Sequence, residues 1–296
     1  MISTIEVLNG PNPGVDDGTL RRWCEAWGKD LGVPMRVQDL ASPGQVVAAV
    51  AASGDDVGVL LNPGDADLGE LTAVAAAAGD RLGWIETGEA ESPRPSYFED
   101  ASVIAVRGRG IHGYRWGARW LLQRAESPCS VIAYGLERDQ VGDLRVPSDA
   151  DGPVPVAVLI HGGFWRERWE RDTIEPLAID LAARGYATWN LEYRRTAHFG
   201  GGWPGTFADI AAGIDHLSEL AGEHPLDLDR VVLVGHSAGG HLALWAVTRR
   251  GVDGTADVRA AYVVSLAGIG DLAECARRGL GDTGNAAASL MGASPD

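Results

Sequence analysis

The stretch Val231-Val-Leu-Val-Gly-His-Ser-Ala-Gly-Gly-His-Leu-Ala-Leu-Trp245 decides how this chain is read. Its first four residues form an uninterrupted aliphatic run, as a buried strand requires, and a helix is expected from Ala238 onward. Between them a GxSxG motif sets Ser237 on a tight turn. Gly235 and Gly239 permit a crowded backbone approach that any side chain would block. The helix that begins at Ala238 aims its N-terminus at the serine and favours negative charge developing there. A serine at the apex of a strand–turn–helix is presented for attack on a substrate. Ser237 is therefore the candidate nucleophile.

Upstream, Val156-Ala-Val-Leu-Ile-His-Gly-Gly-Phe-Trp165 is a second buried strand followed by an HGG loop. Such a loop supplies backbone amides to a developing oxyanion. The expected donors are the N–H groups of Gly163 and Phe164, with Ala238 as their partner. Loss of one such donor typically costs about 3–4 kcal/mol of transition-state stabilisation. Phe164, Trp165 and Trp203 are expected to wall a substrate pocket, with Trp165 and Trp203 binding substrate.

Composition bounds the rest. With 296 residues the chain is long enough for about two domains. Its net charge of −16 argues against nucleic acid, whose binders carry a basic stripe. Lys29 is the only lysine, which leaves Schiff-base chemistry one poorly placed candidate. Cys24, Cys129 and Cys275 are scattered, so neither a disulfide framework nor a zinc site is indicated. No basic leader followed by an apolar stretch is visible, and no run of about 18 apolar residues exists. No membrane partner is expected, and a cytoplasmic location is the default.

Hydrophobic patterning gives an α/β protein in two parts. In the first, strands are expected at residues 4–8, 35–40, 57–61, 82–86 and 102–106, and helices at 19–31, 43–52, 68–78 and 114–124. Alternation of this kind builds a parallel sheet with helices on both faces, here a flavodoxin-like one. A polar stretch, 123–128, separates the parts. The second begins near Ser130 with a hairpin, followed by strands at 156–160, 187–193, 231–234 and 261–266 and helices at 171–184, 206–221 and 238–249.

His161-Gly-Gly-Phe-Trp, Gly200-Gly-Gly-Trp-Pro, Gly235-His-Ser-Ala-Gly-Gly-His-Leu and Tyr134-Gly-Leu-Glu-Arg-Asp-Gln-Val-Gly-Asp-Leu together resemble the kynurenine-formamidase-like and esterase branch of the α/β-hydrolases, over residues 130–296. The resemblance implies hydrolysis of a small ester or amide through an acyl-serine, with no metal and no cofactor. A serine needs a histidine base oriented by a carboxylate, in chain order Ser, acid, His. Only 59 residues follow Ser237 (296 − 237), and their only histidine, His241, sits one helical turn on, pointing away from the apex. In the resembling family the acid and histidine follow two later strands. The expectation is a hydrolase domain lacking its last strands, with its base and acid beyond Asp296. Asp271 is a substitute acid candidate. His241 is expected to pack, His161 and His236 to shape their loops, and His198 to line a pocket.

In the first part, Val7-Leu-Asn-Gly-Pro-Asn12, Asn62-Pro-Gly and Gly108-Arg-Gly-Ile-His-Gly-Tyr-Arg-Trp-Gly resemble type II 3-dehydroquinate dehydratase across residues 1–124. The resemblance assigns Asn12, Asn62 and His112 to a residual pocket. The departures are severe. The loop Pro13-Gly-Val-Asp-Asp-Gly18 lacks the family's arginine and catalytic tyrosine, Gly88 replaces its histidine, and Asp65 and Asp67 would repel an anionic substrate. Arg94 is one remaining cation that could meet an anion, a solvated loop being the plainer reading. The expectation is a dehydratase-like fold without its chemistry. A lyase activity, or a non-catalytic unit that assembles a homo-oligomer, are the alternative roles for this part.

Overall fold

A computed structural model describes residues 1–64, 78–88, 104–196, 200–249 and 258–292. The expected helix at 68–78, apart from Ala78, lies outside the described residues, as do Asp65, Asp67, Arg94 and His198. The chain divides into two compact units, Met1–Pro128 and Cys129–Asp296.

The first unit is built on a parallel sheet of β1 (Thr4–Asn9), β2 (Met35–Asp39), β3 (Val57–Asn62), β4 (Leu82–Glu86) and β5 (Ile104–Arg107), in the order β2-β1-β3-β4-β5. Successive side chains of a strand alternate between faces. In β3, Val59 and Leu61 accordingly join Val46 and Val50 of helix α2 (Pro43–Ala52) on one side. Leu60 joins Leu20, Cys24 and Trp27 of α1 (Asp17–Leu31) and Tyr114 and Leu121 of α3 (Gly113–Glu126) on the other. Helix α1 starts two residues before its sequence-based position because the Asp16 carboxylate accepts from Thr19 N–H, and it ends at Gly32, whose φ of 74° suits glycine.

The second unit has six strands in the order β11-β10-β8-β9-β7-β6. The hairpin of β6 (Ser130–Ala133) and β7 (Val141–Arg145) is antiparallel, and β7 also runs antiparallel to β9 (Ala187–Leu191). The parallel part adds β8 (Val154–Ile160), β10 (Leu226–His236) and β11 (Tyr262–Leu266). Strand β8 is buried on both faces: Val156, Val158 and Ile160 face the main core, and Ala157 and Leu159 face Ile174 and Ala178.

Several elements of the second unit differ from the sequence reading, and β10 begins at Leu226 instead of residue 231. The expected helix at 171–184 is a 3-10 turn, Arg171–Thr173, followed by α4 (Glu175–Ala183), because Pro176 belongs in a helix's first turn. The expected helix at 206–221 divides into α5 (Gly205–Asp215) and α6 (Leu217–Leu220). Strand β9 stops at Leu191 instead of residue 193, although the Glu192 N–H still donates to the Val141 carbonyl of β7 at 2.9 Å. Among the described residues no helix is long and apolar enough to cross a membrane.

Candidate active site

Strand register brings the two glycine motifs together. Ile160, the last residue of β8, lies opposite Gly235 of β10 on one side and Leu191 of β9 on the other. The chain therefore leaves three neighbouring strands at one edge, as His161, His236-Ser237 and Glu192. This is the carboxyl edge of a parallel sheet, where ligands bind in open α/β folds.

Ser237 joins β10 to α7 (Ala238–Thr248) with φ 54° and ψ −116°, a conformation that non-glycine residues rarely adopt. Such strain costs about 1–3 kcal/mol and persists only where its surroundings enforce it. Here the enforcement is visible. Ser237 N–H donates to the Leu266 carbonyl at 2.8 Å, and its own carbonyl accepts from Ile269 at 3.3 Å. A Cβ on Gly235 would lie 2.1 Å from the Gly239 carbonyl oxygen, and one on Gly239 would lie 2.1 Å from that of Ile160. Only glycine fits either place.

The HGG loop abuts this apex. A Cβ on Gly162 would meet the His236 carbonyl oxygen at 2.6 Å and Ser237 Cβ at 3.0 Å. Gly163, Phe164 and Trp165 follow with φ of 111°, 53° and 58°. Three successive positive φ values curl the backbone, and among the described residues the Gly163 and Phe164 N–H groups donate to no protein acceptor. Ala238, the first residue of α7, likewise has no partner four residues back within its helix. The N–H groups expected as oxyanion donors thus have no backbone acceptor among the described residues.

Beneath the loop lies a polar network that sequence reasoning did not find. His161 is fully buried and stacks on Tyr193 at 4.4 Å. The Tyr193 hydroxyl donates to the His161 carbonyl at 2.9 Å. His161 Nε2 lies 2.9 Å from Glu192 Oε1, and Nδ1 lies 2.8 Å from the Gly162 carbonyl oxygen. Glu192 also accepts from the backbone N–H groups of Tyr193 at 3.1 Å and Arg171 at 3.0 Å, and from the buried Arg195 guanidinium. Burial opposes the charge on Glu192, yet Arg195 and His161 hold its carboxyl well below the usual carboxylate range. The signal available in sequence was Glu192-Tyr-Arg-Arg195: three charges placed at the end of a wholly buried strand.

The aromatic residues divide. Trp203 is 53% exposed and packs edge-to-face on Phe207 at 5.0 Å. Trp165 is not a pocket wall: its side chain has no exposure and sits in the core, its ring edge-on to His241 at 5.4 Å. His241 also meets Phe207 at 5.8 Å, and burial pushes its imidazole down to about 4, so it packs as a neutral ring. Asp271 is not poised as an acid. Its carboxylate caps helix α8 (Leu272–Arg277) by accepting from Glu274 N–H at 2.9 Å. Among the described residues no side chain hydrogen-bonds to the Ser237 hydroxyl.

In the first unit, Asn62 is buried and fully engaged. Its amide donates to Tyr114 Oη at 2.7 Å and to the Pro13 carbonyl at 2.9 Å, and its carbonyl accepts from Gly64 N–H at 3.0 Å. Tyr114 in turn donates to Asn9 Oδ1 at 2.8 Å, and burial raises its phenol above the ordinary range. Asn12 is exposed with φ 49°. His112 lies against Trp23 and Trp27, at 5.7 and 5.9 Å, which makes it a partner of α1.

Cys129, Asp143 and Glu175 bring donor atoms within 4.8 Å of one another. Asp143 pairs with Arg171 and Glu175 with Arg145, so ion pairs already account for both buried carboxylates.

The dipeptidyl aminopeptidase BIII of Pseudoxanthomonas mexicana is 26% identical over 205 residues, covering 64% of this chain and 28% of that protein. The probable carboxylic ester hydrolase LipM of Mycobacterium tuberculosis is 30% identical over 99 residues, covering 33% of this chain and 22% of that protein. The chain thus spans about a quarter of the length of the curated relatives it matches. Among solved structures, a bacterial heroin esterase is 26% identical with a TM-score of 0.46, covering 56% of this chain and 58% of that one. The BD-FAE family model matches residues 143–296, just over half of the chain and all of the site built around Ser237. The chain belongs to the BD-FAE family, and its second unit is an α/β-hydrolase domain.

Proposed function

We propose that the second unit hydrolyses a small ester or amide through an acyl-enzyme on Ser237. The observation that carries this reading is the close approach of Gly162 to the Ser237 elbow, where a Cβ on the glycine would lie 3.0 Å from Ser237 Cβ; on this reading the amides of Gly163, Phe164 and Ala238 serve the oxyanion. In the reaction the Ser237 oxygen attacks the substrate carbonyl, and the three amides receive the negative charge of the tetrahedral intermediate. Collapse expels the alcohol or amine, and water then releases the acid from the serine. On this reading the exposed Trp203 ring, edge-on to Phe207, supplies an apolar wall for substrate. Within this fold the kynurenine-formamidase-like and esterase branch is favoured by His161-Gly-Gly-Phe-Trp and Gly200-Gly-Gly-Trp-Pro.

The attack also needs a base. Among the described residues no side chain hydrogen-bonds to the Ser237 hydroxyl.

We read the first unit as flavodoxin-like and dehydratase-like without dehydratase chemistry. Its strand order supports the fold. The engagement of Asn62 by Tyr114 and Pro13 supports the loss of a free substrate contact.

Hydrolysis of p-nitrophenyl acetate and butyrate by the full-length protein tests the reading. Turnover that Ser237→Ala reduces by about 10⁴-fold or more is the expected result. Turnover that survives the substitution would contradict it.

A further inference from the structure

Arg166 directly follows the loop that opens with His161-Gly-Gly. Its N–H donates to the Gly163 carbonyl at 3.0 Å and so closes the turn that carries Gly163, Phe164 and Trp165. From there the guanidinium reaches a second segment, residues 282–285, where Nη2 donates to Thr283 Oγ1 at 2.7 Å and to Asn285 Oδ1 at 2.8 Å. That segment leads into helix α9 (Ala286–Met291), whose Leu290 carbonyl accepts from Trp203 N–H at 2.6 Å. The chain that leaves the elbow at Ile269 is thus tied to the HGG loop at one point and to Trp203 at another.

Two arginines hold this contact, and their charges meet different surroundings. Arg168 forms an ion pair with Asp282, and its guanidinium lies 5.5 Å from the centroid of the Trp169 ring. Arg166 meets only the neutral oxygens of Thr283 and Asn285, and among the described residues it makes no ion pair. Its Nε is buried without an acceptor, and its Nη1 donates to no protein atom among the described residues. A guanidinium offers five N–H donors and bonds most strongly to an oxyanion. Acidic residues outnumber basic ones 41 to 25, so the neutral partners of Arg166 do not reflect a want of carboxylates. Holding two segments together needs donors but no charge, and Arg168 already supplies an ion pair there. The charge on Arg166 is left for a group that arrives.

We propose that Arg166 is a specificity-determining residue, which selects an ester or amide substrate that bears a carboxylate group. The proposal rests on the hydrolase reading for the reaction, but not for the binding of the carboxylate. Arg166 stands where such a group would be read. Its turn carries two of the amides assigned to the oxyanion, and the segment it holds runs on to Trp203. The carboxylate completes the guanidinium through Nη1, while Thr283 and Asn285 keep Nη2 in place. A monoanion is the matched charge. A phosphate dianion would leave one negative charge unmet near Asp282, which adjoins Thr283 in a chain of net charge −16.

Two matched pairs of esters test this. Monoethyl glutarate and ethyl glutaramate differ by an acid against an amide on the acyl side, and acetylglycolic acid and acetylglycolamide place the same difference on the alcohol side. Wild-type kcat/KM is expected to favour the acid in one of these pairs by about 10–10²-fold, the range of a hydrogen bond to a charged group. Arg166→Gln should abolish that preference, and Arg168→Gln, which loosens the same contact, should retain it. A wild type that hydrolyses these esters but favours the acid in neither pair overturns the proposal, and that measurement needs no variant to fold. A preference that survives in a folded Arg166→Gln protein, or that Arg168→Gln abolishes equally, overturns it too. Nitrogen-15 NMR separates the proposal from the reading it rests on. A shift of the Arg166 Nε resonance when glutarate is added to a wild type that hydrolyses none of the esters would refute the hydrolase reading while upholding the carboxylate site. An unmoved resonance overturns the site.

Discussion

The two units end their parallel strands in polar residues and use them in opposite ways. In the first, Asn9, Asn62 and Tyr114 hydrogen-bond one another and the Pro13 carbonyl, so the side chains that could greet a ligand are already engaged. In the second, the buried side chains His161, Glu192 and Tyr193 grip the backbone of one loop and leave its outward amides available. The first arrangement satisfies polar groups internally. The second uses internal bonds to hold a positive-φ loop in place, and on the proposed reading that loop is prepared to stabilise charge that appears only during reaction.

The largest effect expected from breaking this contrast is in the loop itself. Gly162→Ala drives a methyl group to 2.6 Å from the His236 carbonyl oxygen, and loop and elbow must separate. A loss of about 10²–10³-fold in kcat is expected, the scale of removing one oxyanion donor, with a smaller change in KM. Steady-state kinetics on a short-chain ester would check this.

Next in size is a dependence on pH. The folded value of His241, about 4, lies below its ordinary 6.5. The unfolded chain therefore takes up the proton first, and stability falls as pH drops from about 6.5 to about 4, with no contribution from this group to the slope above that window. The full effect is about 3 kcal/mol. Hydrogen exchange in α7, compared between wild type and His241→Phe, should show the acid-side loss flattened in the variant.

The smallest effect sharpens the other half of the comparison. Asn62→Ala leaves the Gly64 N–H without its side-chain acceptor and removes the donor to the Tyr114 hydroxyl, while the Pro13 carbonyl keeps Thr87, a loss of about 1–3 kcal/mol. Denaturant unfolding should register that loss. Ester hydrolysis by the second unit should not change, because Asn62 supports only the first.

Much of this architecture is legible in the sequence, for physical reasons that also explain the gaps. Aliphatic runs such as residues 57–61 and 231–234 mark strands because nothing else buries so many branched side chains on both sides. The elbow is legible because Gly235 and Gly239 flank the serine within a strand–helix frame. Glu192 and Tyr193 read as the tail of a strand, and Arg194 and Arg195 draw no reading at all, since hydrophobic periodicity carries no information about which charges will meet in space. Buried charges are tolerated only when paired, and His161, Arg171 and Asp139 come from three other segments. Trp165 was mistaken for a pocket wall because its ring gives no local sign of which way a positive-φ loop will turn it. Asp271 was weighed as an acid, although the Glu three residues later marks it equally well as a helix cap.

The central claim is that Ser237 is a nucleophile held beside a prepared oxyanion site. Treating the full-length protein with a fluorophosphonate and mapping the adduct by peptide mass spectrometry tests it most directly. The account predicts a single covalent adduct on Ser237, absent in Ser237→Ala and slowed in Gly162→Ala. An unmodified Ser237, or an adduct carried by another residue, would contradict it.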